Sequence, residues 1–192
     1  MLDRGLFWSP VPDWSRAGIR YDGLSITSVA PQTAWLVSGN LAVFLERRGT
    51  RFGDAGERYA LRLAPDRLLF VSMDSVEDVT FGWSDGCAVT DVSDGYVLLD
   101  ITGSAVPELM RLGALHDFEA RSETASASML FAGQRVILAR IAQGWRLHAE
   151  RPDAAAIWQW LQRAASEWGK PPTDDSGRPK SSHSHPTQQV VT

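Results

Sequence analysis

The chain has 192 residues, 44% of them hydrophobic, with eight tryptophans, one cysteine and a formal net charge of −4. That is enough apolar material for one well-packed domain or two small halves sharing a core. The mild charge and the lack of a Lys/Arg stripe exclude a nucleic-acid surface, no apolar run approaches the ~20 residues of a membrane helix, and the single Cys87 excludes an internal disulfide or a thiolate metal cluster.

Residues 1–20 read as an arm, broken by Pro10 and Pro12 and carrying Leu6, Phe7, Trp8 and Trp14. Such aromatic surface either lies on its own domain or docks on a partner. The stretch MLDRGLFWSPVPDW has no apolar leader region, so the expected location is the cytoplasm. Seventeen of the nineteen basic residues are Arg, which favours fixed planar contacts at interfaces as well as within a fold.

From residue 21 onward, apolar residues recur with periods near two and near 3.6. The period of two predicts strands over 24–29, 34–38, 59–63, 68–72, 87–92, 96–102, 128–131, 135–141 and 145–149. Helices are predicted over 41–48, near 75–81, over 105–112 and over 154–168. In the last helix Asp153, after the breaker Pro152, is the expected cap. Ile157, Trp160, Leu161, Ala164 and Trp168 form the expected buried stripe, with Trp158 at its half-exposed edge. Gly169 and Pro171 end the helix. Residues 170–192 are polar and Pro/Ser-rich, with too little apolar surface to offset the entropy of ordering.

An internal repeat runs through the middle of the chain. LVSGNLAVFLERRG (36–49) aligns without gaps on DITGSAVPELMRLG (100–113), each reading as strand, Gly, a capping Asn or Ser, helix and Gly. Downstream, Ala64-Pro-Asp-Arg67 parallels Ala132-Gly-Gln-Arg135 as a turn before an apolar strand. The expected fold is therefore α+β, with two similar halves near 21–85 and 86–169, each with helices packed on a mainly antiparallel sheet.

The candidate chemical residues are few. Asp91-Val-Ser-Asp-Gly95 fails as a calcium loop: counting from Asp91, Gly95 stands at the fifth position, Tyr96 at the glycine position and Thr102 at the bidentate position. Asp94-Gly95 reads instead as a turn between two strands, with Asp91 and Ser93 bonding to local amides. Asp100 is expected to point out of an apolar strand. No glycine-rich phosphate loop or nucleophile elbow is present. His116 and His148 stand alone at no ligand spacing, His183 and His185 lie in the polar tail, and Cys87 reads as a small buried apolar side chain. No catalytic, cofactor-binding or metal-binding residue is assigned.

Three stretches resemble the gamma subunit of heterotetrameric sarcosine oxidase, whose fold is that of the folate-binding aminomethyltransferase (glycine cleavage T-protein-like) domains. They are LRLAPDRLLFV (61–71), VSDG (92–95) with the following YVLLDITG, and GWRLHAERPD (144–153) leading into IWQWLQRAASEWG. The resemblance spans residues 21–169. It departs from the family pattern around 49–57 and 75–86, and has Arg67-Leu68 where the family places an aromatic. It implies a subunit without catalytic residues or cofactor of its own, packed on a larger alpha chain. Beta and delta chains would complete the heterotetramer, with FAD, FMN, NAD, tetrahydrofolate and zinc held by the partners. The implied reaction is oxidative demethylation of sarcosine, or of a related N-methyl amine, with formaldehyde or methylenetetrahydrofolate and peroxide as products. Trp8, Trp14 and Trp158 are the expected partner surface. The alternative is a stand-alone folate-binding or aminomethyltransferase-like protein, in which Asp100 or Glu108 would hold the pterin.

Overall fold

The computed structural model describes residues 11–31, 33–53, 55–76, 79–114 and 126–167. Eleven strands and three helices follow in the order β1 (Gly18–Tyr21), β2 (Leu24–Val29), β3 (Thr33–Gly39), α1 (Leu41–Arg47), β4 (Arg58–Ala64), β5 (Arg67–Ser72), β6 (Gly82–Ser84), β7 (Cys87–Asp91), β8 (Tyr96–Thr102), α2 (Val106–Gly113), β9 (Ser126–Phe131), β10 (Gln134–Ile141), β11 (Gly144–Glu150) and α3 (Arg151–Ser166). Every predicted strand is present. Two short strands, β1 and β6, were not legible, and residues 18–20 of the expected arm belong to β1. The described residues of the helix expected near 75–81 are not helical.

The strands form two antiparallel sheets, one ordered β1-β2-β8-β11-β10-β9 and the other β4-β5-β3-β7-β6. Alternation along the strands sends side chains to opposite faces, and both faces are covered. In β10, Val136 and Leu138 pack in the core with α2 and α3, while Ile137 and Ala139 face the other sheet. In β5, Leu68 and Phe70 pack with Leu41 and Phe44 of α1, while Leu69 and Val71 face the first sheet. The result is four layers: α1, the five-stranded sheet, the six-stranded sheet, then α2 and α3. Each fully buried Leu, Ile or Phe in these cores stabilises by roughly 1.5–3 kcal/mol.

The chain crosses between sheets twice. It leaves the six-stranded sheet after β2, builds the other sheet with β3–β7, and returns at β8. Hairpin β1–β2 lies against β8, and hairpin β6–β7 lies against β3, in the same register: Ser25 pairs with Thr102, and Ala88 with Ser38. The sequence repeat sits at these junctions. A Cβ on Gly39 (φ 111°) would stand 2.2 Å from the Gly86 carbonyl oxygen, and one on Gly103 (φ 115°) would stand 2.2 Å from that of Gly23. Only glycine allows the hairpin turns to approach so closely. Positions 85 and 86 fall within the β6–β7 turn, so a divide there cuts one hairpin. In sheet position, the counterpart of the Ala64–Arg67 turn is the β10–β11 turn at 141–144, because β5 and β11 are the strands that pair with β3 and β8. Ala64–Arg67 and Ala132–Arg135 are both hairpin turns before an apolar strand, as expected, but they differ in sheet position. Asn40 caps α1 by accepting from the Val43 amide at 3.4 Å, whereas Ser104 precedes the N-cap of α2, which is Ala105.

Helix α3 begins at Arg151, so Asp153 lies in its first turn, complementing the helix dipole, and is not the cap. Its buried stripe is Ala154, Ile157, Trp158, Leu161 and Ala165. Trp158 is thus a core residue, 5% exposed, and Trp160 is half-buried beside Phe131, with ring centroids 5.2 Å apart. The observed stripe shares Ile157 and Leu161 with the expected one and is rotated from it by about 60°, less than one residue of helix. Trp168, Gly169 and Pro171 lie outside the described residues.

Candidate functional site: a buried polar cluster between the sheets

Among the described residues, the buried inter-sheet layer is apolar except at one place. Tyr59 comes from β4, Asp100 from β8, and Arg146 and His148 from β11. Arg146 and His148 are two residues apart and so share a face. Asp100 and Arg146 are directly opposed in the β8–β11 ladder.

Arg146 grips Asp100 bidentately, with Nε to Oδ1 at 2.6 Å and Nη2 to Oδ2 at 2.8 Å, and its Nη1 donates to the Gly56 carbonyl at 3.3 Å. Desolvation disfavours the cation, but the carboxylate fork outweighs it and holds the guanidinium above its ordinary range. His148 is fully buried. Its Nδ1 lies 3.0 Å from the Ile137 carbonyl and its Nε2 lies 2.7 Å from the Tyr59 hydroxyl. A carbonyl only accepts, so Nδ1 carries the proton, Nε2 accepts and Tyr59 donates. Burial pulls the imidazole down to about 4, against the opposing effect of the Ile137 carbonyl. It pushes the Tyr59 phenol up to about 12. Both groups are neutral at pH 7. Each member of the cluster is committed to a protein partner, which is the arrangement of a structural network.

Asp100 is therefore largely covered, with 19% of its side chain exposed. Its side of β8 is turned from the helix-covered face, as expected, but the other sheet lies there. Glu108, the other carboxylate considered for a pterin, sits on α2, on the opposite side of the six-stranded sheet. Asp91 accepts from the Ser93 hydroxyl at 2.6 Å and the Ser93 amide at 2.9 Å, and these bonds hold its carboxyl below the usual range. Ser93 Oγ in turn accepts from the Ala34 amide of β3 at 3.0 Å. Asp-Val-Ser-Asp-Gly is thus a turn, though not a hairpin turn: its Ser93–Gly95 segment is one 3₁₀ turn that carries the chain from the five-stranded sheet to the six-stranded one. Cys87 is buried and its thiol donates to the Asn40 carbonyl. Among the described residues no three His, Cys, Asp or Glu side chains gather as metal ligands, and no helix is long and apolar enough to cross a membrane.

Of the expected partner surface, Trp158 is corrected to the core. Trp14 packs edge-on against it at 5.8 Å, so this part of the arm folds onto its own domain. Trp8, His116, His183 and His185 lie outside the described residues. The cluster itself was missed because Tyr59 and His148 are 89 positions apart. A polar residue alternating with apolar ones in each strand was its only local signal.

The model of the sarcosine oxidase gamma subunit family matches residues 50–167. The chain belongs to that family. The matched region contains the whole buried cluster, from Tyr59 to His148. A comparison with curated proteins gives no match. Among solved structures, this gamma-family chain is similar to a chain of the heterotetrameric sarcosine oxidase from Corynebacterium sp. U-96 in complex with pyrrole 2-carboxylate. The TM-score is 0.64 at 19% identity, covering 79% of this chain and 88% of that one, a likeness of fold.

Proposed function

We propose that this chain is a non-catalytic structural subunit of a sarcosine-oxidase-type flavoenzyme. In this reading it contacts a larger alpha-type chain within a heterotetramer completed by beta and delta chains. The partners carry FAD, FMN, NAD, tetrahydrofolate and zinc. The assembly oxidatively demethylates sarcosine or a related N-methyl amine to glycine or the demethylated amine, with formaldehyde or methylenetetrahydrofolate and peroxide as products. The chain works in the cytoplasm. Its aminomethyltransferase-like fold spans residues 21–169 as two related units, one built on each sheet, and Trp8 of the arm belongs to the partner surface.

The observation that carries this reading is the family match over residues 50–167. The buried cluster supports the non-catalytic part, because Tyr59, Asp100, Arg146 and His148 are engaged with one another and with backbone carbonyls.

Co-expression with the alpha-, beta- and delta-type chains tests the reading. The expected result is co-elution in one flavin-bearing complex that produces peroxide from an N-methyl amine, with assembly lost when this chain is omitted. Trp8→Ala should weaken assembly without changing the melting temperature of the lone chain. Stoichiometric flavin or tetrahydrofolate on the isolated chain would overturn the reading in favour of a stand-alone binding protein.

A further inference from the structure

β4 is an edge strand of the five-stranded sheet. Beside it an open groove of ≈ 1410 Å³ runs between α1, the 49–53 loop and the 62–65 turn, with Ser126 of β9 at one side. Its lining includes apolar Leu45, Phe52 and Leu63 and three arginines, Arg51, Arg58 and Arg62. All three arginines are exposed. Arg62 lies over the Phe52 ring at 4.2 Å and donates to the Pro65 carbonyl at 3.1 Å. Its planar group is thereby held at the wall of the groove. No ion pair joins any of the three to another described residue, and Glu46 is the only carboxylate among the lining residues. In a chain of net charge −4, this is a local concentration of cation, paired with no described carboxylate, over an apolar floor.

Size and spacing specify what fits. The groove exceeds the roughly 300–1,000 Å³ of a small-molecule pocket. Arg58 and Arg62 lie on one face of β4, four residues and about 13 Å apart along the strand, too far for one carboxylate or phosphate to bridge. An extended peptide with two acidic side chains about four residues apart matches both, and an apolar side chain between them meets Phe52.

We infer that this groove docks an extended acidic segment of a partner subunit, its carboxylates paired with Arg58 and Arg62. The inference rests on the subunit reading above for the identity of the partner, but not for the chemistry of the groove. The two are tested separately, with the full chain throughout. A fluorescein-labelled 12-residue peptide with two Glu four residues apart is titrated at low salt, beside its Gln twin. Arg58→Glu with Arg62→Glu should lower affinity about tenfold or more, as should the Gln twin, and added salt should weaken binding. Arg135→Glu, on the exposed start of β10, should leave binding unchanged. Equal binding of the two peptides, or indifference to the double reversal, overturns the inference, and so does tighter binding to phosphatidylserine vesicles than to the peptide. In co-expression, retention of the alpha-type chain by the double-reversal variant removes the groove from the interface and leaves the subunit reading standing. Failure of the wild-type chain to associate sinks the subunit reading, while the peptide titration still decides the groove.

Discussion

The Tyr59 hydroxyl donates to His148 Nε2 at 2.7 Å across the layer between the two sheets, joining β4 of one to β11 of the other. Tyr59→Phe keeps the ring and removes the donor, leaving a buried ring nitrogen unpaired. The cost should be about 1–3 kcal/mol, read as a lower denaturation midpoint in urea with an unchanged slope. An unchanged midpoint would mean that water replaces the hydroxyl.

The same imidazole makes stability depend on acid. Its pKa is near 4 when folded and 6.5 in the open chain, so the unfolded state takes up the proton first. The contribution of the neutral buried ring is complete above about pH 6.5 and is lost as pH falls toward 4. It amounts to up to about 3 kcal/mol. Comparing wild type with His148→Gln isolates it, because the carboxylates titrate alike in both. The stability gap between them should narrow from pH 7 to pH 4.5, and a constant gap would contradict a neutral buried histidine.

Asp100→Asn leaves the Arg146 cation largely buried without its anion. A loss of about 3 kcal/mol is expected. Asp100→Leu combined with Arg146→Met removes both charges and should cost less than the single change. If the double variant is the weaker one, the pair contributes more than the burial of its charges costs.

Trp158→Ala should cost about 3–5 kcal/mol, because it opens a cavity between α3 and the sheet and strips the partner from Trp14. Trp160→Ala should cost less, and Asp153→Ala about 0.5 kcal/mol. Thermal melts rank the three, and Trp160 above Trp158 would reverse the orientation of the helix.

Ser93→Ala removes the acceptor of the Ala34 amide at the sheet crossover and should cost about 1–3 kcal/mol. Asp91→Asn with Asp94→Asn retains side-chain oxygens for the turn. That variant should lose about 1 kcal/mol or less and keep turnover of an assembled complex within a few-fold. A collapse of turnover with assembly intact would make these carboxylates chemical.

The sequence by itself determined the local elements. The predicted 24–29 and 96–102 are β2 and β8 residue for residue, because alternation, Asp-Gly turns and helix-breaking glycines act over a few positions. It also marked Gly39 and Gly103 as equivalent. Only the tertiary structure decided which strands pair, and so what each face meets. Asp100 looked like a solvent-facing residue because alternation separates two faces without saying what covers the second. In a four-layer stack the second face of a strand meets another sheet, and a polar residue there must find its partner far along the chain, as Asp100 finds Arg146. For the same reason the sequence pattern misplaces the buried face of α3 by about 60°. Tryptophans at 158 and 160 satisfy an apolar stripe equally well, and the choice fell to Trp14, which reaches Trp158 from the other end of the chain.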